Sequence, residues 1–429
     1  MTEQHGPAGD GDRPLIGARS LSAALGLPPP TDEQVAVIEA PLEPMLVVAG
    51  AGAGKTETMA SRVVWLVANR LVAPDEILGL TFTRKAASEL GARIRRRLSM
   101  LAGSLALLQW DPGGDLAAVL RSADAEVSTY HAYAGRLIAD YGLLLPVEPS
   151  STLLSETELW QLAFSVVTSW PHPLNTSKVP AGVTETVLNL YSEMAEHLVD
   201  DAALTTAGTE LYAMIDTLPK GARQRDAPTK ELRKVQEVMD ERRELLPLVR
   251  ALRAKMTEQG ALDFGSQMSL SARLVTTRPE AVDTERSGIR AVLLDEYQDT
   301  GHSQRLLLSA LFGGPPTADR PVLAVTAVGD PIQSIYGWRG ASAANLPRFA
   351  GDFPRADGSP ARRRELLTSW RNCRGTLYLA NAVSAQLRAR GVPVSTLRPR
   401  DDAPEGTVAL ALTETVVDER DWIAGHVED

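Results

Sequence analysis

The stretch AGAGAGKTETM, residues 49–59, constrains the fold of this chain more than any other. Three alternating glycines, Gly50, Gly52 and Gly54, stand between an apolar run that predicts a strand and an amphipathic run that predicts a helix. Glycines let the backbone turn tightly so that its N–H groups face one point, and the following helix adds the positive end of its dipole. A strand, a tight turn and a helix in this order predict a phosphate-binding site.

The two residues after the last glycine are the types that hold a nucleotide and its metal ion. Lys55 is expected to contact the β- and γ-phosphates, and the Thr56 hydroxyl is expected to bind Mg²⁺. Ala49 stands where the strict pattern has glycine, and the alternative is a glycine-rich turn without a ligand. The predicted nucleotide-binding loop consists of Ala49, Gly50, Ala51, Gly52, Ala53, Gly54, Lys55 and Thr56.

An acidic pair, Asp295 and Glu296, ends the apolar run IRAVLLDE, residues 289–296. Adjacent carboxylates repel each other and are costly to desolvate, so a cation is expected beside them. With a phosphate-binding loop in the same chain, Asp295 is the candidate ligand of Mg²⁺ and Glu296 the candidate base that activates water. Without such a loop, the pair would be a strand end that enters a turn.

Short apolar runs rich in β-branched residues predict strands, and helical patterns lie between them. Continuous rather than alternating apolarity is typical of strands buried on both faces of a parallel sheet. The order strand–helix–strand, with the phosphate-binding loop after the first strand, predicts an α/β fold: a P-loop NTPase with a doubly wound parallel sheet covered by helices. The predicted strands are 45–50, 76–83, 125–131, 289–296 and 322–330.

The length of 429 residues suggests about three domains. Amphipathic helical stretches dominate between residues 140 and 258, which predicts an inserted α-helical domain. A second α/β unit is expected to begin near residue 358, with a strand, a helix and one further strand in GTVALALTE, residues 406–414. The expected divisions are 1–29 (disordered or linker), 30–139 and 259–357 (first core), 140–258 (insertion) and 358–429 (partial second core).

The composition limits the kinds of binding partner and the cellular compartment that we expect for this chain. The net charge of −10 argues against a uniformly basic surface, but nucleic-acid binding follows local patches, and RIRRRL (93–98) is one candidate patch or a solvated face. The single cysteine, Cys373, fits a reducing compartment. No apolar run approaches the length of a membrane span. We therefore expect a soluble, cytoplasmic protein with no membrane partner.

LLDEYQDT (293–300) and VGDPIQSIYGWRGA (328–341) together resemble the UvrD/PcrA/Rep group of superfamily 1 DNA helicases. The resemblance implies that both α/β units are RecA-like cores. It also implies an ATP-dependent helicase and translocase that moves 3′ to 5′ on single-stranded DNA and uses ATP and Mg²⁺. It also implies roles for four residues around the nucleotide. Gln34 would read adenine and Trp370 would stack on it, while Gln333 would sense the γ-phosphate and Arg371 would reach it from the second core.

The same resemblance implies contacts to single-stranded or duplex DNA. Aromatic side chains accept any base as a stacking partner, which suits a grip that ignores sequence. For Phe82 and Phe264 the alternative is core packing, and His131 taken alone would be a satisfied histidine. The implied DNA-binding residues are Phe82, Tyr130, His131, Phe264, Tyr336, Trp338 and Arg339.

The chain departs from the family pattern in several places. Glu57 stands where relatives often carry arginine, and Gly337 replaces a usual arginine. The chain stops at Asp429, before two further motifs, so an ATP- and DNA-binding fragment without efficient helicase activity is the alternative function. The wording of residues 49–69 is similar to actinobacterial helicase–nuclease subunits of AdnB type, which would imply a partner subunit. A P-loop enzyme acting on a small molecule is disfavoured by GDPIQSIYGWRGA.

Overall fold

The computed structural model describes residues 14–122, 124–145, 148, 151–219, 221, 228–315, 317, 320–337, 340–342 and 344–428. In this part of the chain the helices are α1 (Ala18–Ala24), α2 (Asp32–Ile38), α3 (Lys55–Ala68), α4 (Arg84–Ala102), α5 (Leu105–Trp110), α6 (Asp115–Ser122), α7 (Tyr130–Tyr141), α8 (Glu156–Thr168), α9 (Pro180–Glu196), α10 (Asp201–Thr217), α11 (Lys230–Glu258), α12 (Phe264–Thr277), α13 (Pro279–Ser287), α14 (His302–Phe312), α15 (Asn345–Asp352), α16 (Arg374–Ala389) and α17 (Val416–Glu428). The strands are β1 (Met45–Ala49), β2 (Ile77–Thr81), β3 (Glu126–Thr129), β4 (Thr152–Leu153), β5 (Ala261–Leu262), β6 (Ala291–Leu294), β7 (Ala324–Gly329), β8 (Arg362–Leu366), β9 (Thr368–Ser369) and β10 (Arg398–Pro399).

The central feature is a parallel sheet whose strand order is β3-β2-β6-β7-β1-β8 among the described residues. The predicted α/β fold class is confirmed, and each of the five predicted core strands forms. Because every strand runs in the same direction, the carboxyl ends of β1, β6 and β7 meet at one edge. The sequence motifs that follow these strands therefore converge there.

Two hydrophobic layers cover the sheet. Met45 and Val47 of β1 pack with helices α1 to α6 on one face, and Leu46 and Val48 pack with α7 and α12 to α15 on the other. Continuous apolarity follows from burial on both faces, as the sequence indicated. Strands β1, β2, β6 and β7 are buried at every position.

The segment between α7 and α12 forms the predicted helical insertion. Helices α8, α9, α10 and α11 pack around a core of their own, in which Val187, Leu248 and Leu252 are fully buried. The short strands β4 and β5, which flank these helices in sequence, pair with each other. Helix α9 also packs against α12 and α14 of the α/β core. The first and last residues of the insertion stay a prediction.

Three expectations differ from the structure. Helix α1 forms within residues 1–29, because Ala18, Leu21 and Leu25 make one apolar face that packs into the core; residues 1–13 lie outside the described part. Strand β8 pairs with β1, so the first sheet extends past the boundary expected near residue 358. GTVALALTE forms no strand, since no described neighbour pairs with it, and Leu412 is fully exposed.

Arg62 of α3 is buried and organises the turn after α2. Its guanidinium donates hydrogen bonds to the carbonyls of Val37, Ile38, Ala40 and Pro41, and Nε donates to Thr326 Oγ1 of β7. Burial lowers the pKa of Arg62 to about 10, which still leaves it protonated near neutral pH. Arg62 thus joins α2, α3 and β7. No helix of the described residues is long and apolar enough to cross a bilayer.

We expect Arg62→Met to lower the free energy of unfolding by about 3 kcal/mol or more, because each buried carbonyl left without a partner costs about 1–3 kcal/mol. Urea denaturation would measure the loss. Arg96→Met, at an exposed position of α4, is the control and should change stability by less than about 0.5 kcal/mol. Equal effects of the two substitutions would contradict the structural role of Arg62.

Candidate nucleotide-binding site and DNA-contact residues

The glycine loop leaves β1 and enters α3 at the carboxyl edge of the sheet. Gly52 and Gly54 have φ of +74° and +79°, a backbone conformation that favours glycine. Ala53 N–H donates to Gly50 O at 3.1 Å, and Thr58 N–H donates to Gly54 O at 2.9 Å, where the helix begins. The loop and Lys55 at the start of α3 therefore have the arrangement that the sequence predicted.

The segment after β8 lies directly across this loop. Trp370 N–H donates to Gly52 O at 2.8 Å, Ser369 Oγ donates to Ala51 O at 3.0 Å, and Asn372 Nδ2 donates to the same carbonyl at 3.4 Å. Trp370 and Arg371 are both exposed beside the loop. Sequence reasoning missed Ser369 and Asn372, although they directly flank Trp370 and Arg371, which it singled out.

The glycines are needed because neighbours approach the loop closely. A Cβ atom on Gly52 would lie 2.8 Å from Ser369 Oγ and 2.9 Å from Arg371 Cβ, and one on Gly54 would lie 3.0 Å from Gln34 Nε2. Gln34 is held by a capping box in which its Oε1 accepts a hydrogen bond from Thr31 N–H at 3.0 Å. This geometry leaves the amide nitrogen of Gln34 beside the loop.

Lys55 and Glu296 meet across the site. Lys55 Nζ lies 2.9 Å from Glu296 Oε2, with side-chain exposures of 13% and 34%. Glu296 has φ of +50°, and a non-glycine residue in this region costs about 1–3 kcal/mol of backbone strain. Strained residues of this kind concentrate at functional sites, so the backbone supports the candidate role of Glu296.

The backbone N–H and carbonyl of Asp295 are both hydrogen-bonded. Its N–H donates to Leu80 O and its carbonyl accepts from Tyr130 Oη, both at 2.8 Å. Burial, and then the charge of Glu296, raises the pKa of Asp295 to about 6. A divalent cation would stabilise the ionised form further, and a carboxylate with the half-buried Thr56 hydroxyl offers the oxygen ligands that Mg²⁺ prefers.

The residues present fit Mg²⁺ held jointly with phosphates. Among the described residues no cluster of three or more His, Cys, Asp or Glu side chains could hold a metal ion alone. Mg²⁺ is commonly bound by one or two protein ligands plus substrate phosphates, so a pair such as Thr56 and Asp295 is sufficient.

A chain of hydrogen bonds links Glu296 to Gln333. Gln298 Nε2 donates to Glu296 Oε2 at 2.8 Å, and Gln298 Oε1 accepts from Asp330 N–H at 3.0 Å. Asp330 Oδ2 in turn accepts from Gln333 Nε2 at 2.7 Å. Sequence reasoning overlooked Gln298 and Asp330, yet both stand inside the two strings LLDEYQDT and VGDPIQ.

Glu57 forms ion pairs with the basic patch RIRRRL of α4. Arg93 Nη1 donates to Glu57 Oε2 at 2.8 Å, and the buried Arg97 forms an ion pair with Glu57 Oε1. Arg97 also donates to Ser61 Oγ at 2.8 Å. The carboxylate of Glu57 therefore holds α3 against α4, and part of the patch RIRRRL is used within the fold.

The candidate DNA-contact residues form two aromatic pairs. Phe82 and Tyr336 stack with ring centroids 5.1 Å apart, and His131 meets Phe264 edge-on at 5.7 Å. Phe264 is 44% exposed, so its ring has a free face. Trp338 and Arg339 lie outside the described residues.

Tyr130 differs from its predicted role. Its side chain is 2% exposed, and its hydroxyl is committed to the carbonyl of Asp295. A ring enclosed in this way cannot stack on a base. The prediction of a DNA contact at Tyr130 is therefore wrong, and the residue supports the acidic pair instead.

The parallel sheet, the glycine loop after β1 and the acidic pair after β6 define a P-loop α/β protein of the RecA-like helicase type. A protein-family model described as the UvrD/REP helicase N-terminal domain matches residues 30–354. The match covers well over half of the chain, and the chain belongs to this family.

Several curated proteins are similar to this chain. ATP-dependent DNA helicase UvrD1 of Mycobacterium tuberculosis is 29% identical over 362 residues, which cover 84% of this chain and 39% of that protein. DNA helicase II of Rickettsia typhi is 25% identical over 72% of this chain and 38% of that protein. ATP-dependent DNA helicase PcrA of Staphylococcus epidermidis is 25% identical, with 76% and 36% covered. The chain thus spans less than half the length of these relatives, and none of them supports a helicase–nuclease partner.

Alanine at Gly52 should destabilise the fold both through backbone strain and through close contact with Ser369 and Arg371, and a control variant can separate the two costs. Gly26 has φ of +63° with no neighbour within 4 Å of an added Cβ, so it is the matched control for Gly52. We expect Gly26→Ala to lower the free energy of unfolding by about 1 kcal/mol, from backbone strain alone. Gly52→Ala should lower it by the same amount plus about 1–3 kcal/mol from overpacking. Urea denaturation of both variants measures the difference. Equal losses would mean that the segment Ser369–Arg371 does not press on the loop.

Proposed function

We propose that this chain is the ATP-driven motor of a DNA helicase that translocates 3′ to 5′ on single-stranded DNA, acting in repair or recombination. The contact of 2.9 Å between Lys55 Nζ and Glu296 Oε2 carries the proposal, because it brings the phosphate-binding loop and the acidic pair to one site. The direction and the repair role rest on the family resemblance. The names of the relatives, which specify ATP and DNA, support the same activity.

In this proposal Lys55 and the loop amides bind the phosphates of ATP. Thr56 and Asp295 would hold Mg²⁺, whose charge lowers the repulsion between phosphate oxygens and an attacking water molecule. Glu296 orients that water and accepts its proton. Arg371 lies beside Gly52 and would approach the γ-phosphate from the segment that crosses the loop.

The adenine end of the nucleotide would lie between Gln34 and Trp370. The amide nitrogen of Gln34 and the indole of Trp370 both approach Gly54, at 3.0 and 3.9 Å from the position of an added Cβ. Trp370 is 41% exposed, which leaves a face for a flat ring. An amide that hydrogen-bonds and an indole that stacks are suited to a purine base.

The coupling to DNA would run through the hydrogen bonds from Glu296 to Gln333. Gln333 senses the γ-phosphate in this scheme, and Tyr336 follows three residues later in the same loop. Tyr336 stacks on Phe82, which follows β2 at the same edge of the sheet. A change at the nucleotide would therefore shift an aromatic pair that can contact bases, while Phe264 and His131 supply a second pair.

A second candidate function is binding of ATP and DNA without efficient unwinding. The chain covers 36–39% of the length of the relatives named above, so the unwinding activity that their names state is a proposal for this chain. DNA-stimulated ATP hydrolysis by this chain separates the two candidates. Stimulated hydrolysis supports the motor, whereas binding of both ligands without stimulated hydrolysis supports the second candidate.

Glu296→Gln should lower kcat for ATP hydrolysis by about 100-fold or more while nucleotide affinity stays within about threefold, because an amide cannot accept the proton. Phosphate release and titration with a fluorescent ATP analogue measure the two quantities. Lys55→Ala is the contrasting variant and should abolish nucleotide binding. A loss of affinity in Glu296→Gln would assign this residue to support of Lys55, and hydrolysis retained by Lys55→Ala would refute the role of the loop.

Phe264→Ala should weaken binding of single-stranded oligonucleotides by about 5- to 150-fold, since stacking on an aromatic ring contributes about 1–3 kcal/mol per base. The loss should be similar for oligo-dT and mixed sequences. Fluorescence anisotropy measures it, and Phe164→Ala, in the aromatic pair with Trp160 on α8, is the control. Unchanged affinity in Phe264→Ala would return Phe264 to a packing role.

A further inference from the structure

Helix α14, which begins shortly after the acidic pair, is capped by a residue of the helical insertion. Its N-cap residue is Gly301, which has no side chain to accept the first N–H groups. Glu196, the last residue of α9, supplies the missing acceptor. Glu196 Oε1 accepts from the N–H groups of His302 and Ser303, and Oε2 accepts from Ser303 Oγ at 2.9 Å.

A carboxylate in this position is favourable for two reasons. It satisfies N–H groups that have no partner within the helix, and its charge lies at the positive end of the helix dipole. Burial raises the pKa of Glu196, and the hydrogen bonds from Ser303 and His302 oppose that shift. All the hydrogen bonds described for the half-buried carboxylate of Glu196 therefore come from the first residues of α14.

The capped end of α14 is tied to the nucleotide site through a short buried loop. Thr300 is buried between the acidic pair and Gly301, and Asn345 Nδ2 donates to its carbonyl at 2.7 Å. Asp299 N–H donates to Glu296 O at 2.9 Å. Because these hydrogen bonds fix the loop, a displacement of Gly301 would also move Glu296.

Helix α9 also holds the segment that presents Phe264. Tyr191 of α9 donates a hydrogen bond to Asp263, and Asp263 is the N-cap of α12, accepting from Ser266 N–H at 3.2 Å. Phe264 is the first residue of α12. The end of α9 therefore contacts both a candidate DNA-binding element and the loop behind the acidic pair.

We propose that Glu196 is a positioning residue through which the helical insertion sets the loop that carries Asp295 and Glu296. This inference rests on the proposed function, because it assumes that the loop binds Mg²⁺ and nucleotide. Gly340, in the loop after Tyr336, lies so close that an added Cβ would be 3.0 Å from Glu196 Cγ. The same carboxylate thus borders the segment that follows the candidate phosphate sensor.

The test measures how nucleotide binding depends on Mg²⁺. In Glu196→Gln the side chain keeps its size but loses its charge and one acceptor. We expect the Mg²⁺ concentration for half-maximal binding of a fluorescent ATP analogue to rise by about 2- to 30-fold, with affinity in the absence of Mg²⁺ unchanged. Ser303→Ala removes one hydrogen bond and should cause a smaller rise in the same direction. Glu193→Gln, one turn earlier and paired with His197, should have no effect.

Hydrogen exchange of the amides of residues 297–303 gives a second readout, and it should accelerate in Glu196→Gln but not in Glu193→Gln. A lower melting temperature with an unchanged Mg²⁺ dependence in both Glu196→Gln and Ser303→Ala would make Glu196 a structural cap only and would overturn the inference. If the wild-type chain binds no nucleotide, the proposed function fails and the inference falls with it. Nucleotide binding by the wild type with no effect of either variant refutes the inference alone.

Discussion

The ion pair between Lys55 and Glu296 is the interaction on which the site depends. The two residues are 241 positions apart in sequence, and β7 lies between their strands in the sheet. They can meet only because parallel strands bring their carboxyl ends to one edge. A long helical insertion between β3 and β6 is tolerated because loop-closure entropy rises slowly with length and the insertion has its own core. The sheet, and not proximity in sequence, therefore builds the site.

Features whose cause is local could be predicted from the sequence. The glycine loop, the capping box of Thr31 and Gln34 and the buried strands each follow from backbone preference or apolar pattern within a few residues. Features that depend on distant partners could not. The resemblance implies a DNA contact at Tyr130 because a motif names residue types without giving their orientation. Only the fold shows that the hydroxyl of Tyr130 donates to the carbonyl of Asp295. The place of strand β8 in the first sheet could not be predicted for the same reason, since its partner β1 lies more than 300 residues away in sequence.

Charged residues show the same limit in a sharper form. In the sequence, the arginines of RIRRRL predict a solvated or nucleic-acid-binding face. In the fold, Arg62 satisfies four carbonyls and Arg97 pairs with Glu57, so both are structural. Burying a guanidinium is favourable only when its donors are satisfied, and the acceptors come from other elements. The departure at Glu57 is explained by its two arginine partners on α4, which give a carboxylate a purpose at that position.

The placement of two contacts on one helix has a mechanical consequence. Tyr191 and Glu196 are five residues apart on α9, about 7.5 Å along a helix that rises 1.5 Å per residue. A helix of this length bends little over one and a half turns, so a rigid displacement of the insertion moves both contacts together. Asp263 would then shift with Phe264 while Glu196 shifts with the loop of the acidic pair. An inserted domain joined by flexible links alone could not impose this relation, whereas hydrogen bonds at both ends of a stiff turn make it a property of the fold.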